Sequence, residues 1–152
     1  MPTMELVVAW KNETEQIEQW PSRDCTTDLE NQELSAEIER AREMLTLPKD
    51  WDGEGSVNYL EDTFDRAVEF LKTHSKFLKD FGLRMPVPAI TAGPNGSIDI
   101  HWKRVSWELL VNIPADSSKM ASFYGDNYGV QQIRGTVDPE TCNSGLAAWL
   151  MK

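Results

Sequence analysis

The hydrophobic pattern of the chain changes its period at Met85-Pro86-Val87-Pro88. Before this segment, apolar residues recur at intervals of three and four, which is typical of amphipathic α-helices. After it, apolar and polar residues alternate, which is typical of strands with one buried face. Because the helices precede a run of neighbouring strands, the pattern predicts an α+β fold.

Two helices are predicted before the change of period. The first should begin near Gln32 and end by Leu47, because Pro48 disfavours helical geometry in the residue before it. The second should have Asn58 as its N-cap and Gly82 in the left-handed position of a Schellman ending. The apolar stripes are Leu34, Ile38, Ala41 and Leu45 in the first helix, and Leu60, Phe64, Ala67, Leu71, His74, Leu78 and Phe81 in the second.

The second half predicts an antiparallel meander of four to five strands, on which the two N-terminal helices pack. Short turns separate the strands, so neighbours in sequence should pair in space. A short C-terminal helix should follow, beginning at Asp138-Pro139-Glu140 because proline is favoured at the first helical position. The predicted strands cover 89–92, 97–102, 105–113, 120–124 and 130–137, and the apolar part of the closing helix covers 146–151.

The length of 152 residues predicts a single domain. Within it, residues 1–31 are polar and broken by Pro21, so we expect an acidic arm that is partly flexible, with a β-prone run at 5–10. Residues 32–152 should form the compact body.

Negative charge is concentrated in the first part of the chain. Residues 1–65 contain 17 Asp and Glu against 5 Lys and Arg, whereas residues 66–152 contain 8 against 10. Such a surface repels nucleic acid and membranes and steers a basic partner by its long-range field. It is also compatible with a solvated surface that aids solubility. The candidate partner-binding residues are Glu33, Glu37, Glu43, Asp50 and Glu54.

The sequence also predicts a cytoplasmic location. Cys25 and Cys142 follow no metal-binding or disulfide spacing, no signal peptide is visible, and no apolar run approaches the roughly 20 residues of a membrane span. No cofactor is predicted, and a homo-oligomer is compatible with the sequence.

The stretch from Asp50 to Ser56 combines three carboxylates, two glycines and a tryptophan. Its alternating oxygen side chains and central glycine resemble the calcium loop of an EF-hand. The ligands would be Asp50, Asp52, Glu54, Ser56 and Glu61. Glu54 is longer than the usual residue at its position, and Pro48 stands where the incoming helix should be apolar.

A second pattern covers about residues 45–137. It resembles a group of small uncharacterised bacterial and phage proteins with a Trp-Asp-Gly-x-Gly-Ala/Ser loop before a helix and a curled antiparallel sheet. The resemblance implies a fold and no particular activity, and it does not require Asp50 or Glu54. It is carried by Trp51-Asp52-Gly53-x-Gly55-Ser56, Ala67-x-x-Phe70-Leu71, Pro88-x-Ile90, Gly96-Ser97-Ile98-x-Ile100-x-Trp102, Glu108-Leu109 and Phe123-Tyr124.

The loop also has a purely structural interpretation. Trp51 would pack under the sheet, and Asp52 would accept hydrogen bonds from backbone N–H groups of a tight turn. Gly53 and Gly55 would take positive φ angles that other residues reach only at a cost.

Candidates for catalysis are few. Asp99 and His101 share a sheet face with Glu108 nearby, which permits a small enzyme as an alternative, although a solvated strand face has the same pattern. His74 lies on an apolar helix stripe and should be a hydrogen-bonded core or interface residue.

The preferred function is therefore a non-enzymatic protein-interaction module. Its acidic face would bind a basic partner, as in an inhibitor, an antitoxin-like regulator or an assembly subunit. Calcium binding at 50–61 is the alternative from a different class.

Overall fold

The computed structural model describes residues 32–152. By its internal contacts the chain divides into two units, Met1–Glu33 and Leu34–Lys152. The predicted arm, its β-prone run at 5–10 and Cys25 lie outside the described residues, and the single-domain prediction stays a prediction. Cys142 is an exposed free thiol.

The described elements follow the predicted order of helices, strands and a closing helix. The described part of helix α1 covers 32–41 and continues as a 3-10 helix, Arg42–Thr46. No helix in the range 32–152 is long and apolar enough to cross a membrane. The remaining elements are α2, Glu61–Asp80; β1, Ala89–Ala92; β2, Ile98–Lys103; β3, Glu108–Ile113; β4, Ala121–Asp126; β5, Gln132–Val137; and α3, Ser144–Leu150.

The five strands form one antiparallel sheet in the order β1-β2-β3-β4-β5, which confirms the α+β class and the meander. Apolar side chains alternate onto the inner face, where Ile100 pairs with Val111 and Trp102 with Leu109. Helix α2 packs on β2, β3 and α3 through its buried stripe. The core therefore lies between α2 and the inner face of the sheet.

Helix α1 contributes polar side chains to the outer edge of β1. The carboxylate of Glu37 accepts a hydrogen bond from the Ile90 N–H at 3.0 Å, and the Arg40 guanidinium donates to the Ile90 carbonyl at 2.9 Å. The two side chains also form an ion pair with each other. This edge strand is therefore shielded against pairing with another chain.

Of the two predictions for the ends of α2, one is wrong and one is confirmed. The predicted N-cap is wrong, because α2 begins at Glu61 and Leu60 occupies the cap position without a side-chain hydrogen bond. The Schellman ending is confirmed: Gly82 has a φ of 71°, its N–H donates to Lys79 O, and the Leu83 N–H donates to Leu78 O.

Gly82→Ala should destabilise the protein by about 1 kcal/mol, because alanine is strained at positive φ. No heavy atom lies within 4 Å of a Cβ added there, so a steric clash adds nothing. Urea unfolding followed by circular dichroism measures the change. An unchanged midpoint would contradict a strained left-handed C-cap.

Two element boundaries in the second half were predicted wrongly. The strand expected from Val105 begins at Glu108, because a turn closed by Arg104 N–H and Trp107 O leaves Val105 fully exposed. The closing helix does not begin at Pro139. The Asp138 carboxylate instead accepts the Glu140 N–H in a local turn, and Asn143 caps α3 by accepting the Leu146 N–H at 3.0 Å.

Candidate functional site

Residues 43–65, here called the acidic segment, connect the 3-10 helix to the first turns of α2. They contain seven Asp and Glu but only one basic residue, Lys49. All eight charged residues are exposed. The excess of negative charge found in the sequence therefore lies at the surface in this segment.

The centre of the acidic segment is a loop held by its own hydrogen bonds. The Asp50 N–H donates to Ser56 O at 2.6 Å, and the Gly55 N–H donates to the Asp50 carboxylate at 2.6 Å. Gly53 and Gly55 have φ angles of 73° and 85°, as predicted. Asp50 itself lies at φ 61°, a region that aspartate tolerates better than most residues. The loop is thus closed by hydrogen bonds between its own residues.

Asp52 organises the other half of the loop. Its carboxylate accepts hydrogen bonds from the Ser56 hydroxyl and from the Glu54 N–H, the latter at 3.0 Å. These two hydrogen bonds lower the pKa of Asp52 below its ordinary value, and the one from the Ser56 hydroxyl has the larger effect. The predicted turn role of Asp52 is confirmed, and its charge is retained at neutral pH.

Trp51 does not pack under the sheet, so that prediction is wrong. Its side chain is 42% exposed. The loop is closed by its own hydrogen bonds, and Trp51 is not among the buried residues of the core. Val57 and Leu60 are exposed in the same segment, at 43% and 52%. Among residues 32–152, the buried tryptophans are Trp102, Trp107 and Trp149.

The loop carboxylates that were predicted as calcium ligands serve the loop itself. Asp50 and Asp52 accept N–H and hydroxyl hydrogen bonds, Glu54 and Ser56 lie in the same loop, and Glu61 begins α2. Among residues 32–152, no three His, Cys, Asp or Glu side chains group in a way that could hold a metal ion. Calcium binding stays a prediction that no donor cluster supports.

The structure brings together two of the three residues of the enzyme alternative. His101 Nε2 lies 3.1 Å from a Glu108 carboxylate oxygen, across neighbouring strands on the outer sheet face. Asp99 instead accepts a hydrogen bond from Asn112 Nδ2 at 2.8 Å. The three groups therefore form two separate polar contacts.

The predicted partner-binding residues also separate into groups. Glu37 is engaged internally, and its pKa is lowered chiefly by the hydrogen bond from Arg40. Glu33 is exposed within the first unit. Glu43, Asp50 and Glu54 are exposed on the acidic segment, and of these Glu43 and Glu54 make no side-chain hydrogen bond or ion pair in the described chain.

The sequence analysis did not identify the two exposed aliphatic residues of the acidic segment, Val57 and Leu60. Val57 and Leu60 follow the loop directly, and Leu60 falls on the predicted apolar stripe of α2. A stripe residue that precedes the first helical turn need not point inwards, because the helical period does not apply there.

Comparison of the chain with protein-family models, with curated proteins and with solved structures found no match. The resemblance to the bacterial and phage group stays a prediction.

Proposed function

We propose that this chain is a non-enzymatic protein-interaction module that binds a basic protein surface through the acidic segment. The observation that carries the proposal is the exposure of Trp51 among seven exposed carboxylates, on a loop fixed by its own hydrogen bonds. In this role the chain would act as an inhibitor, an antitoxin-like regulator or an assembly subunit.

The charge of the segment supports a basic partner. Seven acidic groups within 23 residues, with one lysine among them, create a local field that attracts cations and raises the rate of encounter. The same field repels nucleic acid phosphates. Glu43, Glu54, Glu61 and Asp65 have no ion pair within residues 32–152, so their carboxylates are available to a partner.

The apolar side chains supply affinity that charge alone does not. Tryptophan is enriched among the residues that dominate interface energies, especially where polar groups surround it. Because the loop is already ordered by its hydrogen bonds, little further backbone entropy is lost when Trp51 is buried. The partner should therefore present an apolar pocket with a basic rim.

Trp51→Ala should weaken binding of the partner about tenfold or more, since truncating a central aromatic commonly costs at least ~1.4 kcal/mol. The full-length chain is immobilised, partners are captured at low salt, and the retained protein is titrated by surface plasmon resonance. Val105→Ala is the matched control, because Val105 is fully exposed and lies outside the acidic segment.

A second pair of variants tests the charges. Glu43→Gln with Glu54→Gln should slow association and flatten the salt dependence, whereas Glu140→Gln, an exposed residue elsewhere, should change neither. Retention that is indifferent to salt would refute the electrostatic part. Equal binding by wild type and Trp51→Ala would refute the anchor.

A further inference from the structure

The two edges of the sheet differ in how their backbone groups are satisfied. At β1, Glu37 and Arg40 occupy the outward N–H and carbonyl of Ile90. At β5, no other described strand pairs with the outer edge, since β5 is last in the strand order. One edge is therefore capped, and the other presents main-chain donors and acceptors.

The hydrogen-bond alternation identifies the outward groups of β5. The Asn127 N–H donates to Gln131 O at 3.1 Å, and the register continues through Gly125 opposite Ile133 and Phe123 opposite Gly135. In an antiparallel pair every second residue is hydrogen-bonded to its partner strand. The N–H and carbonyl groups of the remaining β5 residues, Gln132, Arg134 and Thr136, therefore point to the outer edge.

A cleft of about 600 Å³ lies between this edge and α3. Ile133, Leu146 and Trp149 give it an apolar wall. Two cations border it on opposite faces of the sheet. The Lys152 ammonium lies 4.8 Å from the centre of the Trp149 ring on the inner side, and the Arg134 guanidinium lies 5.3 Å from the centre of the Tyr124 ring on the outer face. No Asp or Glu is among the lining residues. Within residues 32–152, the cleft thus combines a strand edge that no other strand pairs, an apolar wall and positive charge.

We propose that this cleft binds an extended acidic peptide segment of another protein, which adds to β5 as a sixth strand. Main-chain hydrogen bonds to Gln132, Arg134 and Thr136 would supply much of the affinity, as in other strand-addition sites. Because side chains alternate along a strand, one set enters the apolar wall. The alternate set lies on the outer sheet face, where carboxylates of the peptide meet Arg134, and Lys152 adds positive charge on the α3 side of the cleft. The cleft is positively charged, whereas the acidic segment is negatively charged. The two surfaces would therefore bind different partners, and this proposal does not rest on the proposed function.

The probe is a fluorescein-labelled synthetic peptide in which Val and Glu alternate, titrated against the full-length chain by fluorescence anisotropy. It should bind, whereas the matched peptide of alternating Val and Lys, and a peptide with the Glu residues grouped, should bind at least tenfold more weakly. If the Val-Lys peptide binds equally well, the charge assignment is overturned.

Thr136→Pro tests strand addition directly, because proline removes an N–H that the sheet itself does not use. Thr136→Val is the matched control that keeps this N–H. The proline variant should bind the Val-Glu peptide about tenfold more weakly, and the valine variant should bind it as the wild type does. Equal binding by all three proteins would overturn strand addition.

Two further measurements do not depend on the proline variant folding. In the wild type, the peptide should slow hydrogen exchange at the amides of Gln132, Arg134 and Thr136, and unchanged exchange there overturns the proposal. Arg134→Glu with Lys152→Glu should abolish binding, whereas Lys119→Glu, exposed and outside the cleft, should preserve it. A dimer in light scattering that the proline variant abolishes would assign the edge to a second copy of this chain and overturn the peptide partner.

Discussion

Trp102→Ala is expected to lower the free energy of unfolding by about 4 kcal/mol, which is a large part of the stability of a domain of this size. Trp102 lies in β2 with 1% of its side chain exposed, and it pairs with Leu109 across the strands. Its indole N–H donates a 2.6 Å hydrogen bond to the Pro86 carbonyl. The alanine variant would leave a large cavity and an unpaired carbonyl. Urea unfolding followed by circular dichroism measures the loss.

Two variants separate packing from tryptophan content. Trp102→Phe keeps most of the volume but leaves the Pro86 carbonyl without its donor, so it should cost about 2 kcal/mol. Trp51→Ala should stay within about 0.5 kcal/mol of the wild type, because Trp51 is exposed. A similar loss in Trp102→Ala and Trp51→Ala would contradict the assignment of one to the core and the other to the surface.

The two tryptophans also show what the sequence can and cannot reveal. Trp102 belongs to a run in which Ile98, Ile100 and Trp102 alternate with polar residues, and alternation determines which face is buried. Trp51 lies in a loop, where no period applies. The composition of the loop predicted the turn at Asp52 correctly, but it did not predict that Trp51 would be exposed.

The end of a helix could be predicted where a single residue determines the backbone conformation. It could not be predicted where two nearby segments are both suitable helix starts. Gly82 is the only glycine at the end of α2, and the hydrogen bonds of its Schellman motif are as predicted. Before α3, both Asp138-Pro139 and Asn143 are good helix starts, and only the second is used. The cleft beside β5 depends on where α3 packs, which no pattern in the sequence predicts.

The enzyme alternative shows the same limit for side-chain contacts. Alternation alone places Asp99, His101 and Glu108 on one face, and this is confirmed. The cross-strand register then decides which of them meet. With Asp99 opposite Asn112, an amide donor occupies the carboxylate, and His101 reaches Glu108 alone.

His74 connects the core helix to the end of the chain. Its ring is fully buried, with Nδ1 2.9 Å from Phe70 O and Nε2 accepting the Asn143 N–H at 3.2 Å. A carbonyl on one side and an N–H on the other require the neutral tautomer with its proton on Nδ1. The predicted role as a hydrogen-bonded core residue is confirmed. His74→Ala should cost about 3 kcal/mol, because it removes buried volume and leaves the Asn143 N–H unpaired.

The same geometry makes stability depend on pH. Burial lowers the pKa of His74 below the ordinary value, and the hydrogen bond to Phe70 O offsets this only in part. As the pH falls through about 6.5, the histidine takes up a proton in the unfolded chain but not in the folded protein. The unfolded state then binds more protons, so stability is fully present above that pH and is lost progressively below it. Urea unfolding at several pH values between about 5 and 7.5 measures this slope, a window that lies above the ordinary pKa values of most carboxylates.

Two histidine variants assign the slope. The chain contains only His74 and His101. His101→Gln should retain the loss of stability on acidification, because His101 is half-exposed on the outer sheet face. His74→Leu should be less stable at neutral pH and should show a flatter dependence between about pH 5 and 7.5. Hydrogen exchange at the Asn143 amide should accelerate in the same variant, because its acceptor is gone. A slope that survives His74→Leu but disappears in His101→Gln would show that the outer-face histidine, and not the buried one, couples stability to protons.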